Sequence, residues 1–213
     1  MGLKSNLDQV VYEKMLEDVI AGKYSMGEKI LAGEIAEKYG ISKTPVTQSI
    51  KLLCNDDIFQ ILPTGRIIVP TLTRKDVEDV CSVRYMLEGY CADIICTRDP
   101  FLNRNLVAEM KALAKSCAEM DKEHKHVEFV KTDMKLHQTF VAGAGNQYLQ
   151  KLFQKVHGRY MVACYLMISL ESRDFQHSIN EHNDLVTSIE DRDAEQAKRI
   201  LKSHITYILN FIK

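Results

Sequence analysis

Near the N-terminus, apolar residues fall at Leu7, Val10, Val11, Met15, Val19 and Ile20. This is the i, i+3, i+4 recurrence of a helix with one buried face, and it predicts a helix over residues 7–21 that stops at Gly22. A short helix is expected over about 33–38, ending at Gly40, and a third over about 43–55 with Ser42 as its cap. Pro45 then sits in the first turn, where its missing N–H costs nothing. Next come two short β-branched or apolar runs, IFQIL at 58–62 and RIIVP at 66–70, separated by Pro63-Thr64-Gly65, which predict a hairpin. From residue 73 the pattern is helical to the end, with breaks near 97–100, 121–125, 143–146, 172–174 and 191–193, giving about six helices. The first of these opens on Thr73 and Asp76, a capping-box-like start with Asp in place of the usual Glu. Its expected inner face, Val77, Val80, Val83, Leu87, Cys91 and Ile94, is apolar with one exception, Arg84.

The order helix, helix, helix, hairpin is that of a winged helix-turn-helix, whose second helix of the pair enters the DNA major groove. The shift of pattern near residue 71 divides a mainly α chain into a winged helix-turn-helix at 1–71 and an all-α bundle at 72–213. With 213 residues, 46% hydrophobic and 27% charged, the chain has enough material for real cores, and disordered, collagen-like and low-complexity classes are excluded. The longest nearly apolar run, YMVACYLMISL at 160–170, is about half a bilayer crossing, and MGLKSNLDQ at the start has no apolar signal region. A cytoplasmic protein without a membrane partner is expected. Cys54, Cys81, Cys91, Cys96, Cys117 and Cys164 form no CxxC, so they read as buried thiols rather than disulfides or a cysteine zinc site.

Charge sharpens the N-terminal reading only locally. The net charge is −1, so the basic total that marks many nucleic-acid binders is absent. Residues 38–55, however, carry Lys38, Lys43 and Lys51 with no carboxylate, and Arg66 lies at the hairpin tip. Ser42, Thr44, Thr47 and Gln48 add hydroxyl and amide groups that bond to phosphates or base edges. The alternative is an ordinary solvated helix face.

In the bundle, Asp133 and His137 are i, i+4 and project from one helix face. His182 and His204 lie on consecutive helices, each about 10 residues from the turn at 191–193, so an antiparallel pair sets them level. Three imidazoles and a carboxylate facing one point are a reasonable shell for Zn²⁺, Ni²⁺ or Mn²⁺ with positions left for a ligand. The alternative is four unrelated polar residues. Arg84 offers a second anchor for an anionic effector, or else pairs with Glu88 one turn on. Arg159 is a weaker candidate for the same cavity, Glu181 is expected to face solvent, and His157 and His177 show no ligand partner at helical spacing. His124 and His126 fall in a charged connector.

The stretch from VYEKMLEDVIAGKYSMGEKI through LAGEIAEKYGISKTPVTQSIKLL to IFQILPTGRIIVP resembles the DNA-binding domain of the GntR family of bacterial transcription regulators. The matching elements are the G-x-x-x-x-G-E-K-I turn at Gly22 to Ile30, the core from Ile35 to Val46 and the Gly65 wing. This resemblance implies that Lys43, Thr44, Thr47, Gly65 and Arg66 contact DNA. The sequence departs from the family at Lys43 and Thr47, where Arg is common, and at Gly33, where a polar contact residue is usual. Lys43 keeps charge but lacks the fork that reads guanine. The C-terminal part is similar to the FCD effector domain of the FadR subfamily, through VRYMLEG at 83–89, Asp133 and His137, GAGNQYLQKLF at 143–153, EHNDLVTSIEDRDAEQA at 181–197 and His204. That resemblance implies a divalent metal, zinc first with nickel or manganese as alternatives, on Asp133, His137, His182 and His204, beside a small organic acid.

The leading expectation is a homodimeric repressor-type regulator that binds double-stranded operator DNA and responds to a small carboxylate. Two other classes stay in view: a metal-dependent hydrolase or lyase, for which no HExxH or phosphate loop speaks, and an architectural DNA-binding protein with an inert bundle.

Overall fold

The computed structural model describes residues 2–167 and 175–212. The N-terminal unit comprises α1 (Gly2–Ile20), α2 (Ala32–Tyr39), α3 (Lys43–Asn55), β1 (Gln60–Ile61) and β2 (Ile67–Ile68). Helix α1 starts before the apolar periodicity does and packs on α3. Helix α2 ends where Gly40 turns left-handed at φ 66°, its N–H bonding to the carbonyls of Ala36 and Glu37. The expected cap of α3 is corrected in part. Ser42 occupies the N-cap position with extended backbone, but its side chain makes no capping hydrogen bond.

The hairpin is shorter than the sequence suggests, pairing only Gln60 with Ile68 and Ile61 with Ile67. Ile58 and Phe59 leave the strand to enter the core. In compensation, the segment before α2 supplies a third edge that the apolar pattern did not show. Ile30 N–H donates to Ile67 O at 2.9 Å, Val69 N–H to Glu28 O at 2.9 Å and Gly27 N–H to Val69 O at 2.9 Å. Asp18, nearly buried on α1, accepts from Lys23 Nζ at 2.6 Å, Lys38 Nζ at 2.8 Å and Tyr39 Oη at 2.8 Å. Burial pushes the Asp18 carboxyl up, but these three donors outweigh it and hold it below its usual value. Lys38, counted on sequence with the positive reading face, is therefore committed to a structural node.

Six α-helices follow among the described residues: α4 (Arg74–Thr97), α5 (Arg104–Lys122), α6 (His126–Gly143), α7 (Gln147–Met167), α8 (Phe175–Glu190) and α9 (Ala194–Thr206), with 3₁₀ turns at Pro100–Asn103 and Tyr207–Asn210. The break expected near 172–174 lies outside the described residues. Thr73 and Asp76 form the reciprocal capping box. Helix α5 packs against α6 and α8, while α4 packs one side against α6, α7 and α9 and leaves Val83, Met86 and Tyr90 exposed on the other. Its buried side differs from the expected apolar stripe. Val77, Cys81, Arg84, Glu88, Cys91 and Ile95 point inward, while Val83 is exposed. Arg84 and Glu88 thus sit at the middle of the inner face. None of the six cysteines forms a disulfide; five are buried and Cys54 is half-buried. No described helix is long and apolar enough to cross a membrane.

Candidate metal centre and nucleic-acid interface

Helix α6 carries Asp133 and His137 on one face, and the α8–α9 pair brings His182 and His204 level with them. One donor atom from each of the four lies within 4.8 Å of all the others. His137 Nε2 is 3.0 Å from His204 Nε2, and Asp133 Oδ1 is 2.9 Å from His182 Nε2, 3.8 Å from His204 Nε2 and 4.0 Å from His137 Nε2. Donors held about 2.1 Å from one ion are about 3.0 Å apart at a right angle and about 4.2 Å apart across it. The shorter separations here, 2.9 and 3.0 Å, match the first value, and the longer, 3.8 and 4.0 Å, fall between the two.

The surroundings orient the rings. His137 Nδ1 lies 2.6 Å from Glu88 Oε2, and His204 Nδ1 lies 3.1 Å from Glu181 Oε2. A carboxylate beside Nδ1 holds the ring proton there and leaves a lone pair on Nε2. Two such lone pairs then face each other across 3.0 Å, an arrangement that repels unless a cation lies between them. His182 Nε2, although close to Asp133, is not aligned for a hydrogen bond with it, and His182 Nδ1 has no hydrogen-bond partner either. Burial pushes Asp133 up, but the imidazoles, His182 first, hold it well below the carboxylate range. Burial pushes His137 down to about 4 despite Glu88, with Arg84 and His204 adding to the shift. His182 is likewise lowered, by burial first and against Asp133. A divalent ion fits this set: it satisfies the facing nitrogens and supplies positive charge beside Asp133 that His137 and His182, lowered by burial, do not.

Two sequence expectations are corrected here. Glu181 does not face solvent, because the packing of α8 on α9 turns its carboxylate onto His204. His177 does have a partner at helical spacing, Glu181 four residues on, with Nε2 3.3 Å from Oε2. Arg84 is fully buried, its Nε 2.5 Å from Glu88 Oε1 and its guanidinium 4.3 Å above the Tyr160 ring. Its two terminal nitrogens have no hydrogen-bond partner. The chain Arg84–Glu88–His137 links the positive charge to the cluster. Burial pushes Glu88 up, but Arg84 and then His137 outweigh it and hold it at about 2.

A cavity of about 70 Å³ adjoins the cluster, lined by Asp133, His157 and His204 together with the aromatic rings of Phe129, Phe175 and Phe211. At about 10–15 Å³ per water-sized group it has room for roughly five to seven such groups. His157 was missed on sequence because its environment is tertiary. It is buried on α7, stacked on Phe153, and neither ring nitrogen has a hydrogen-bond partner. Arg159 does not reach this cavity; its Nη2 lies 3.6 Å from Asp57 Oδ1 of the N-terminal unit.

In that unit, Ser42, Lys43, Thr44, Gln48 and Lys51 are exposed at and along α3. Thr47 is half-buried, and its hydroxyl donates to Lys43 O at 2.9 Å, which leaves it an acceptor toward any ligand. Gly65 turns the wing tip at φ 78°, and the exposed Arg66 beside it donates from Nε to Thr64 Oγ1 at 3.3 Å. Gly33 is exposed on α2 with open space around it.

Comparison with known proteins agrees with this division of labour. The FCD domain profile matches residues 79–207, and the profile of bacterial regulatory proteins of the gntR family matches residues 7–69. The HTH-type transcriptional regulator YdhC of Bacillus subtilis, itself uncharacterized, is 20% identical over 202 residues, covering 95% of this chain and 89% of that protein. The gluconate operon transcriptional repressor of the same organism is 20% identical over 191 residues, 87% of this chain and 76% of the repressor. Among solved structures, McbR/YncC of E. coli superimposes with a TM-score of 0.76 at 16% identity, covering 94% of each chain, which shows a shared fold.

Proposed function

The chain belongs to the gntR family of bacterial regulatory proteins and carries an FCD domain, and on that footing we propose that it binds operator DNA as a homodimer and senses a small carboxylate at a divalent-metal site. It is a DNA-binding transcription regulator and not an enzyme, so the hydrolase or lyase reading falls. The observation that carries the metal part is the meeting of Asp133, His137, His182 and His204 donors within 4.8 Å. Zinc is the first choice for a nitrogen-rich set, with nickel or manganese as alternatives. When bound, the ion supplies a Lewis-acidic anchor for a carboxylate. Arg84 does not line the cavity, but its two terminal nitrogens are unpartnered and its guanidinium lies over the lining Tyr160 ring, which supports it as a second, indirect source of positive charge for a bound acid.

The DNA contacts proposed are Lys43, Thr44, Thr47, Gln48, Gly65 and Arg66, with Ser42 at the start of the recognition helix. The unit boundary is placed at 71/72, in the extended segment before the α4 capping box. Val83, Met86 and Tyr90, exposed on the outer side of α4, support a dimer surface there, and two-fold symmetry matches a palindromic operator. The gluconate operon relative is a repressor, which supports repression as the sign of control, exerted in the cytoplasm where the DNA is. Selection of bound duplexes from a random pool tests the reading. A palindrome bound at least about a thousandfold more tightly than scrambled DNA is expected, and no enrichment would overturn the operator claim. Elemental analysis of protein purified without chelator tests the metal: occupancy in the wild type that disappears in His182→Ala supports it, and a metal-free wild type rejects it.

A further inference from the structure

Helix α7 contains Gly158 in its interior, a position where glycine is the least favourable residue after proline, so a close approach is the expected reason for it. The structure supplies that reason. A Cβ built at Gly158 would lie 1.9 Å from the backbone oxygen of Asp56 and 3.3 Å from Ile58 Cγ1. Asp56 and Ile58 belong to the turn that joins α3, the recognition helix, to the wing. This turn is itself unusual: Asp57 is a non-glycine residue at φ 59°. It is tied down on two sides, by Tyr12 Oη donating to Asp56 Oδ2 at 2.8 Å and by Arg159 Nη2 at 3.6 Å from Asp57 Oδ1. A notch one hydrogen atom deep on α7 therefore receives the backbone of the reading head.

The same turn of α7 also faces the effector cavity. His157, Tyr160, Met161 and Cys164, spaced i, i+3, i+4, i+7, line the cavity wall. His157 is buried there with both ring nitrogens unpartnered, and Tyr160 lies under the Arg84 guanidinium. Within four consecutive residues, His157 and Tyr160 line the cavity while Gly158 and Arg159 between them meet the head. A rigid helical turn cannot move one of these faces without the other, and the notch has no slack to absorb the motion.

We propose that the His157–Tyr160 turn of α7 is a mechanical relay, in which occupancy of the cavity against His157 and Tyr160 resets the Gly158–Asp56 contact and thereby the orientation of the recognition helix and wing. Gly158 is the positioning residue of this relay. The proposal rests on reading the cavity as the effector site only for what fills it; the contact between α7 and the head stands without that reading.

The test is a double-mutant cycle on the full-length chain. Wild type, His157→Gln, Gly158→Ala and the double variant are compared by hydrogen exchange of the backbone amides of residues 55–62, and by affinity for the selected duplex. The expected result is that His157→Gln, altered inside the bundle, speeds exchange in the head turn and changes duplex affinity at least threefold. Gly158→Ala should do the same, and the double variant should do no more than the larger single. Cys117→Ala, buried on α5, is the control for general loosening and should leave 55–62 unchanged. A His157→Gln protein whose head turn exchanges as in the wild type overturns the relay, as does strict additivity of the two changes. If Gly158→Ala fails to fold, Arg159→Ala takes its place in the cycle with the same expectations. Zn²⁺ titration of the wild type is scored separately: failure to bind sinks the metal reading and leaves the cycle decisive for the relay.

Discussion

Replacing Glu88 by Gln changes one buried oxygen to nitrogen and should produce two separable losses. Glu88 and Arg84 are both fully buried, with 2.5 Å between Oε1 and Nε, so no solvent softens the removal of the negative charge. Breaking such a pair from one side costs about 3–5 kcal/mol, because the remaining charge is stranded. The second loss is at His137. A glutamine that keeps its carbonyl toward Arg84 turns its NH₂ toward His137 Nδ1, which must then accept. The ring proton moves to Nε2, the nitrogen that faces the cluster, and metal affinity should fall about 10–100-fold. Urea unfolding of the metal-free protein measures the first effect, and competition for Zn²⁺ against a chromogenic chelator measures the second. Arg84→Met/Glu88→Leu separates them: with both charges gone, stability should return to near wild type, while weak metal binding persists because Nδ1 still lacks its carboxylate. A Glu88→Gln protein within about 1 kcal/mol of wild type, against the 3–5 expected, or one with unchanged Zn²⁺ affinity, would refute the reasoning.

Metal-free protein should lose stability as pH falls. Burial above all holds the His137 ring down at about 4 and also lowers His182, so both stay neutral when folded but take up protons when unfolded below the ordinary histidine value of 6.5. Thermal melts between pH 7.5 and 4 should show a falling midpoint, beginning near 6.5, and a flat profile would contradict it. Lys43→Ala and Arg66→Ala should each weaken selected and scrambled duplexes alike and lower the salt slope of binding by about 1; a loss confined to the selected duplex would mean base reading instead. Gly33→Ala should stabilise the protein by about 0.5–1 kcal/mol, since α2 has ordinary backbone and open space there. Urea titration decides this, and a destabilised variant would show an unseen constraint.

The helices were legible because their information is local: apolar spacing, Gly40, and the Thr73–Asp76 box act within a few residues of themselves. The four metal-ligand candidates were legible because two fixed spacings, one along α6 and one across the α8–α9 turn, bring their elements together. What lay beyond reach was set by neighbours distant in sequence. Lys38 counts as a free cation until α1 brings Asp18 against it, and the 27–30 edge has no strand pattern because its partner is β2. Val83 belongs to the apolar periodicity of α4, yet the packing of that helix on α6, α7 and α9 turns Arg84 and Glu88 inward instead. Glu181 follows the same rule, since its carboxylate turns onto His204 only because α9 lies on α8, whereas its pairing with His177 four residues earlier is local.

The carboxylates around the cluster bear on function together. Glu88 is matched by the Arg84 guanidinium, whereas Asp133 stands beside His137 and His182, whose rings burial shifts toward the neutral form. The Asp133 carboxylate is then buried without a full counter-charge from those two rings, and charge buried without compensation is costly. A divalent cation offsets that charge. On the proposed reading, removing the ion with a chelator should speed amide exchange in the same 55–62 turn that the α7 substitutions loosen, and exchange unchanged by chelation would mean that the metal site and the turn are not coupled.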